Sequence, residues 1–225
     1  VSMAARRRTY YLRPSETRIM YKWVQDLLQA DEQQKAELRS TYRLTKYEVG
    51  KATHTCLDLI LLELLTGLRQ IELLTLKWNE VYLDEEDYNE QGAVTGSFFQ
   101  VILSKQQTDF GVPITPLMAS VFRRRLKARS SEYVFPSSIL PNTHMGDDRV
   151  GFRILKKLMP VETLRKTDSL SSNVLRHTFA TTGFNVLKSM ELTDMITGHY
   201  VKHNRGVSTP TYVHMQADDH REHFE

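Results

Sequence analysis

The segment "CLDLILLELLTGLRQIELLTLKW", residues 56 to 78, does most to limit what this chain can become. Nearly every position in it is built to be buried, so whatever domain forms must be arranged around it. The pattern is helical from Thr53 to Leu65, and Thr66 and Gly67 then supply a stop, glycine being the usual residue just past a helix end. A second helix is predicted from about Arg69 to Lys77. Asp58 and Glu63 break the apolar runs, which are also too short to cross a bilayer, and no secretory pattern opens the chain. A cytoplasmic protein without a membrane partner is expected. Arg69 stands out because its charge persists at every physiological pH. It lies at a helix–helix joint, where it can be aimed into a cleft; it can equally be a surface arginine at a helix start, mildly opposed by the helix dipole.

The remainder reads as mainly α with a small antiparallel β-sheet. Residues 1–10 hold Arg6, Arg7 and Arg8 and no periodic apolar pattern, so they form a basic arm or linker stub, and the domain proper runs over 11–225. Pro14, Ser15 and Glu16 start a helix, with Ile19, Trp23, Leu27 and Leu28 at helical spacing. The polar stretch 31–51 reads as a loop with short helical pieces. Phe98 to Leu103 and Phe110 to Ile114 are short β-type runs around a polar turn. Helices are predicted near Pro116 to Arg129, Arg149 to Leu158 and Ser172 to Lys188, with short ones to the end; "VFPSSILPNTHMGDD" is a loop. No internal repeat or low-complexity tract is present.

At 225 residues, with 40% apolar and 25% charged, the chain can bury a sizeable core. Cys56 is the only cysteine, so neither an intramolecular disulfide nor a cysteine-based zinc site can form. The net charge is only +3. The positive residues are clustered, however, at Arg6 to Arg8, at Arg123 to Arg125 with Lys127 and Arg129, and at Lys156 and Lys157. Such clusters suit a polyanionic partner; a solvated helix face gives the same letters.

Five residues could carry chemistry together. Arg176, in "SSNVLRHTFATTGF", lies on a helix with Asn173 three residues before it on the same face. His199 follows Gly198, Tyr212 follows the proline of "STPTYVHM", and Lys105 sits on the turn of "LSKQQTDFG". Singly, each has an ordinary structural reading: an ion-paired arginine, a packed histidine, a half-buried tyrosine ring, a solvated lysine. As a set they offer more. Arg69 and Arg176 can clamp a phosphodiester by bidentate, charge-assisted hydrogen bonds and stabilise a pentavalent transition state. A histidine can donate to a remaining oxygen, a tyrosine can attack phosphorus, and a lysine can protonate the leaving 5′-oxygen. Neither a metal nor a cofactor is implied.

In order along the chain these stretches resemble the boxes of the tyrosine recombinases, the phage integrase family, over roughly residues 11–215. "LLTGLRQIELLTLKWNEV" is similar to the first arginine box, "ILSKQQTDFGVPIT" to the lysine-bearing hairpin, and "NVLRHTFAT", "TGHY" and "TYVHM" to the second-arginine, histidine and nucleophile boxes. The resemblance implies that fold and a site-specific recombinase that cuts and rejoins DNA through a 3′-phosphotyrosine. It assigns Arg69 and Arg176 to the phosphate clamp, Lys105 to the general acid, His199 to the second-histidine position and Tyr212 to the nucleophile. Double-stranded attachment sites, a tetrameric synaptic complex and accessory DNA-bending proteins are the implied partners, and a mobile genetic element the implied setting.

The sequence departs from that pattern in places. Asn173 stands where the family usually has histidine; it can hydrogen-bond a phosphate oxygen but cannot carry a proton at neutral pH. Thr197 replaces a usual leucine, and the stretch from His199 to Tyr212 is longer than is common. The separate helical domain that precedes most integrase catalytic domains is not expected within this chain, which reads as a catalytic-domain fragment or, alternatively, as one of the short members that manage without that domain. Two other readings remain: a type IB topoisomerase, against which the integrase-like boxes argue, and a DNA-binding protein of the same fold impaired in catalysis, suggested by Asn173.

Overall fold

A computed structural model describes residues 10–83, 96–105, 107–140, 142–159 and 170–198. Its centre is helix α3 (Lys51–Thr66), in which every side chain from Cys56 to Leu64 is buried. Around it pack α1 (Pro14–Gln29), α5 (Pro116–Lys127), α6 (Arg149–Leu158) and α7 (Ser172–Leu187). The predicted burial of the leucine-rich segment therefore holds, and its all-round apolar character follows from neighbours on every side. Helix α3 stops where expected: Gly67 has φ +63° and donates to the Glu63 carbonyl, while the Thr66 hydroxyl donates to that of Leu62. The next helix, α4 (Gln70–Leu74), is shorter than predicted, because Thr75 closes it and Trp78–Glu80 form a 3-10 turn.

One other element and one helix face differ from expectation. The polar stretch read as a loop contains a full helix, α2 (Glu32–Tyr42), started by a capping box in which Asp31 accepts from the Gln34 N–H and Gln34 from the Asp31 N–H. With no buried residue of its own, it gave no apolar period to read. In α1 the most deeply buried apolar side chains are Met20, Val24 and Leu27, with Ile19, Trp23 and Leu28 packed at the margin, so the core face is turned by about one residue from the predicted stripe.

The sheet is antiparallel, in the order β1 (Val81–Tyr82), β2 (Phe98–Leu103), β3 (Thr108–Pro113). Phe99 faces Val112 and Val101 faces Phe110, and Phe99, Val101 and Leu103 are buried on one face while Gln100 and Ile102 are exposed on the other. Only β1 was unanticipated. The basic run on α5 is partly internal: Arg124 donates to buried Asp58, and Arg125 to the Thr55 hydroxyl and the Val134 carbonyl. Helix α8 (Met190–Ile196) packs back on α7. Among the described residues no helix is long and apolar enough to cross a membrane.

Candidate functional site

The joint between α3 and α4 is where the site begins. Arg69 is the residue before α4, with extended backbone; its N–H donates to Glu72 Oε2 at 2.8 Å, and its guanidinium to Glu72 Oε1 at 2.9 Å. Glu72 also accepts from the Ser104 N–H at 3.0 Å and the Ser104 hydroxyl at 2.9 Å, at the end of β2. Burial alone would raise the Glu72 carboxyl; the N–H groups of Arg69 and Ser104 outweigh it and hold the group below its usual value, so it stays ionised. One carboxylate thus ties Arg69 to the β2–β3 turn. Lys105, the next residue after Ser104, is exposed on that turn.

Helix α7 supplies the second arginine. Arg176 is only 8% exposed, and its guanidinium donates to the Gly67 carbonyl and, at 3.0 Å, to the Thr197 carbonyl. The close approach needs Gly67: a Cβ there would meet the Phe179 ring of α7 at 2.4 Å. Burial first, and then the nearby charge of Arg69, push the Arg176 guanidinium down to about 10, with Glu72 opposing. The charges of the two arginines repel, and only Arg69 has the Glu72 carboxylate as a direct partner, so an entering anion would relieve the repulsion.

The chain after α8 reaches this point too. Thr197 gives its carbonyl to Arg176, and Gly198, at φ +63°, lies against Leu103 of β2, where a Cβ would be 2.8 Å from the side chain. Asn173 is exposed on the first turn of α7, and His177 is exposed while Arg176 is buried, in keeping with the roughly 100° between successive helical residues. His199 and Tyr212 lie outside the described residues. Arg69, Arg176 and the turn bearing Lys105 are thus gathered in one region, joined through Glu72, Ser104 and Gly67. Sequence reasoning missed Glu72 and Ser104; the available signal was an acid three residues after Arg69, at the position that closes a capping box. Among the described residues no group of three or more histidine, cysteine, aspartate or glutamate side chains could hold a metal ion.

Comparisons with known proteins agree with this architecture. No curated protein matches the sequence. The XerH site-specific recombinase bound to difH substrate in a pre-cleavage complex shares the fold at a TM-score of 0.57 and 15% identity, over 85% of this chain and 47% of that one. The same recombinase on palindromic difH in a post-cleavage complex gives 0.58 and 16%, over 86% and 47%. The chain spans about half the length of these proteins. The sequence profile described as "Phage integrase family" matches residues 22–218, and on that match the chain belongs to the phage integrase family.

Proposed function

We propose that the chain is the strand-cutting portion of a tyrosine-type site-specific DNA recombinase acting on double-stranded attachment sites. The observation that carries this reading is the buried Arg176, fastened to the Gly67 carbonyl in the turn that bears Arg69, whose own guanidinium is held by Glu72. A scissile phosphodiester entering there takes bidentate hydrogen bonds from both, and the developing negative charge of the pentavalent transition state is met by groups already in position. Tyr212 Oη gives up its phenolic proton to solvent, attacks phosphorus and forms the P–O bond as the bond to the 5′-oxygen breaks. Lys105 Nζ gives its proton to that oxygen, so a neutral 5′-hydroxyl leaves. His199 donates to a non-bridging oxygen, and the exposed Asn173 amide adds a hydrogen bond without carrying a proton. Rejoining is the reverse: a 5′-hydroxyl from a partner duplex attacks the phosphotyrosine, and Tyr212 is released. Protein side chains complete the scheme without a metal ion. Strand exchange between two duplexes calls for several protomers, and a tetramer on paired sites is the assembly proposed.

Asn173 favours one second reading, a family member that binds DNA without cutting it. Trapping separates the two. A nicked duplex carrying the attachment site, in which the cleaved end diffuses away, should accumulate an SDS-resistant protein–DNA adduct that is lost in Tyr212→Phe. Absence of an adduct with the unaltered protein, alongside retained DNA binding, favours the binder.

A further inference from the structure

Helix α3 carries a second acid that the phosphate site does not use. Glu63 is 1% exposed, and neither of its carboxyl oxygens accepts a hydrogen bond of normal length. Its polar neighbours are the Asp148 carboxyl, in the residue that precedes α6, and the Ser172 hydroxyl, at the first residue of α7. Asp148 is also 1% exposed and accepts from both of its own neighbours: Gln70 Nε2 donates to Oδ1, and Ser172 Oγ to Oδ2 at 3.3 Å. The Gln70 amide lies 3.2 Å from Ser172 Oγ as well. Donor accounting then singles out Glu63. The two amide protons of Gln70 go to Asp148 and Ser172, and Ser172 has one hydroxyl proton for two carboxyls, so Glu63 faces at most one weak donor.

Two ionised carboxylates buried face to face are not tolerated; one proton between them is the ordinary resolution. We propose that Glu63 carries that proton and donates it to an ionised Asp148, and that this brace makes Glu63 and Asp148 positioning residues for the two-arginine site. Its reach follows from the chain: Gln70 is the residue after Arg69, and Ser172 precedes Asn173 and lies one helical turn before Arg176. Four elements, α3, α4, α6 and α7, are fastened by this one knot at the edge of an open groove of about 780 Å³ lined by Gln70, Asp148, Arg149, Arg153, Lys156 and Ser172.

Burial, and then the charge of Asp148, push the Glu63 carboxyl well above its usual value. Burial raises Asp148 too, against the hydrogen bond that Glu63 gives it, with the charge of Asp147 adding to the rise. Of the other charged groups of the surrounding elements, Arg69 pairs with Glu72, Arg176 with the Gly67 and Thr197 carbonyls, Arg149 with Asp147, Arg153 and Lys157 with Glu48, and Arg124 with Asp58, while Lys156 lines the same groove as Asp148. None of them reaches the Glu63 oxygens, and loss of the proton at high pH drives the two carboxylates apart.

The shared proton is testable without reference to DNA, whereas the positioning role rests on the DNA-cutting reading. In heavy water, pH-difference infrared spectra of the intact protein should contain a protonated-carboxyl stretch at neutral pH that vanishes as the pH rises. Glu63→Gln should lack it, and Asp148→Asn, which removes the facing charge, should lose it at lower pH. In single-turnover adduct formation with the nicked duplex, the rate of Glu63→Gln relative to the unaltered protein should climb about tenfold per pH unit above the titration, because only the unaltered protein has a proton to lose. A neutral-pH spectrum without the band, a band that survives Glu63→Gln, or parallel pH profiles would overturn the proposal. If no adduct forms at any pH, the DNA-cutting reading fails, and the infrared band alone decides the proton.

Discussion

Arg176 shows how much a single side chain can be asked to do at this site. Its guanidinium holds two backbone carbonyls, of Gly67 and Thr197, that belong to the turn before Arg69 and the turn before His199. A lysine keeps the charge but has no planar fork, so Arg176→Lys leaves one carbonyl and, in the proposed clamp, one phosphate oxygen unserved. Loss of one such donor costs about 10²- to 10³-fold in rate, and single-turnover adduct formation by Arg176→Lys should fall by that factor with DNA binding largely kept. A fall of under about threefold would remove Arg176 from the clamp. Each arginine alone had an ordinary reading in the sequence, and the two stood out only as members of an ordered set of boxes. Glu72 did not stand out, since an acid on the first turn of a helix is unexceptional there; only its four hydrogen bonds, two of them to the β2–β3 turn 32 residues away, reveal it. Glu63 escaped notice for a similar reason, since its partner Asp148 is far along the chain.

Elements were legible to the extent that burial marked them. Helix α3 and strands β2 and β3 announced themselves through density and alternation of apolar residues, while α2 packs only Leu38 and Tyr42, half-buried, against the core and reads as a loop with short helical pieces. The turn from α3 into α4 belongs to the first kind, and its glycine carries two constraints at once. Gly67 sits at φ +63°, a region that costs a residue with a Cβ roughly 1–2 kcal/mol, and that Cβ would also run into the Phe179 ring. Gly67→Ala should therefore lower unfolding stability by about 2–3 kcal/mol, read from the denaturant midpoint, and the shift of α7 should lower adduct formation further than the loss of folded protein explains. A change below about 0.5 kcal/mol would mean that α7 yields at Phe179 without cost.

At the scale of the molecule, two buried acids linked to α6, Glu48 and Glu63, bear on pH stability with opposite sign. Glu48, in the 3-10 turn Lys46–Val49, accepts from the Thr45 N–H at 2.7 Å and from Lys157 of α6 at 2.9 Å, with Arg153 at 3.3 Å. The Thr45 N–H chiefly, and then Lys157, hold its carboxyl down to about 2 against the penalty of burial. A carboxyl whose folded value lies below its unfolded one, here 4.5, stabilises fully above 4.5 and loses that contribution as the pH falls toward 2. Glu63 has the opposite sign: its folded value lies above 4.5, so its contribution is lost as the pH rises. Glu48→Gln should therefore flatten the acid limb alone. Between about pH 5 and pH 2.5 the unaltered protein should lose on the order of 2 kcal/mol more than the variant, while their alkaline limbs run parallel. Unfolding titrations at a series of pH values measure both limbs. Equal acid limbs would mean that Glu48 keeps its hydrogen-bonded turn on the unfolded side as well, so that the tie between that turn and α6 adds nothing to the acid stability of the fold.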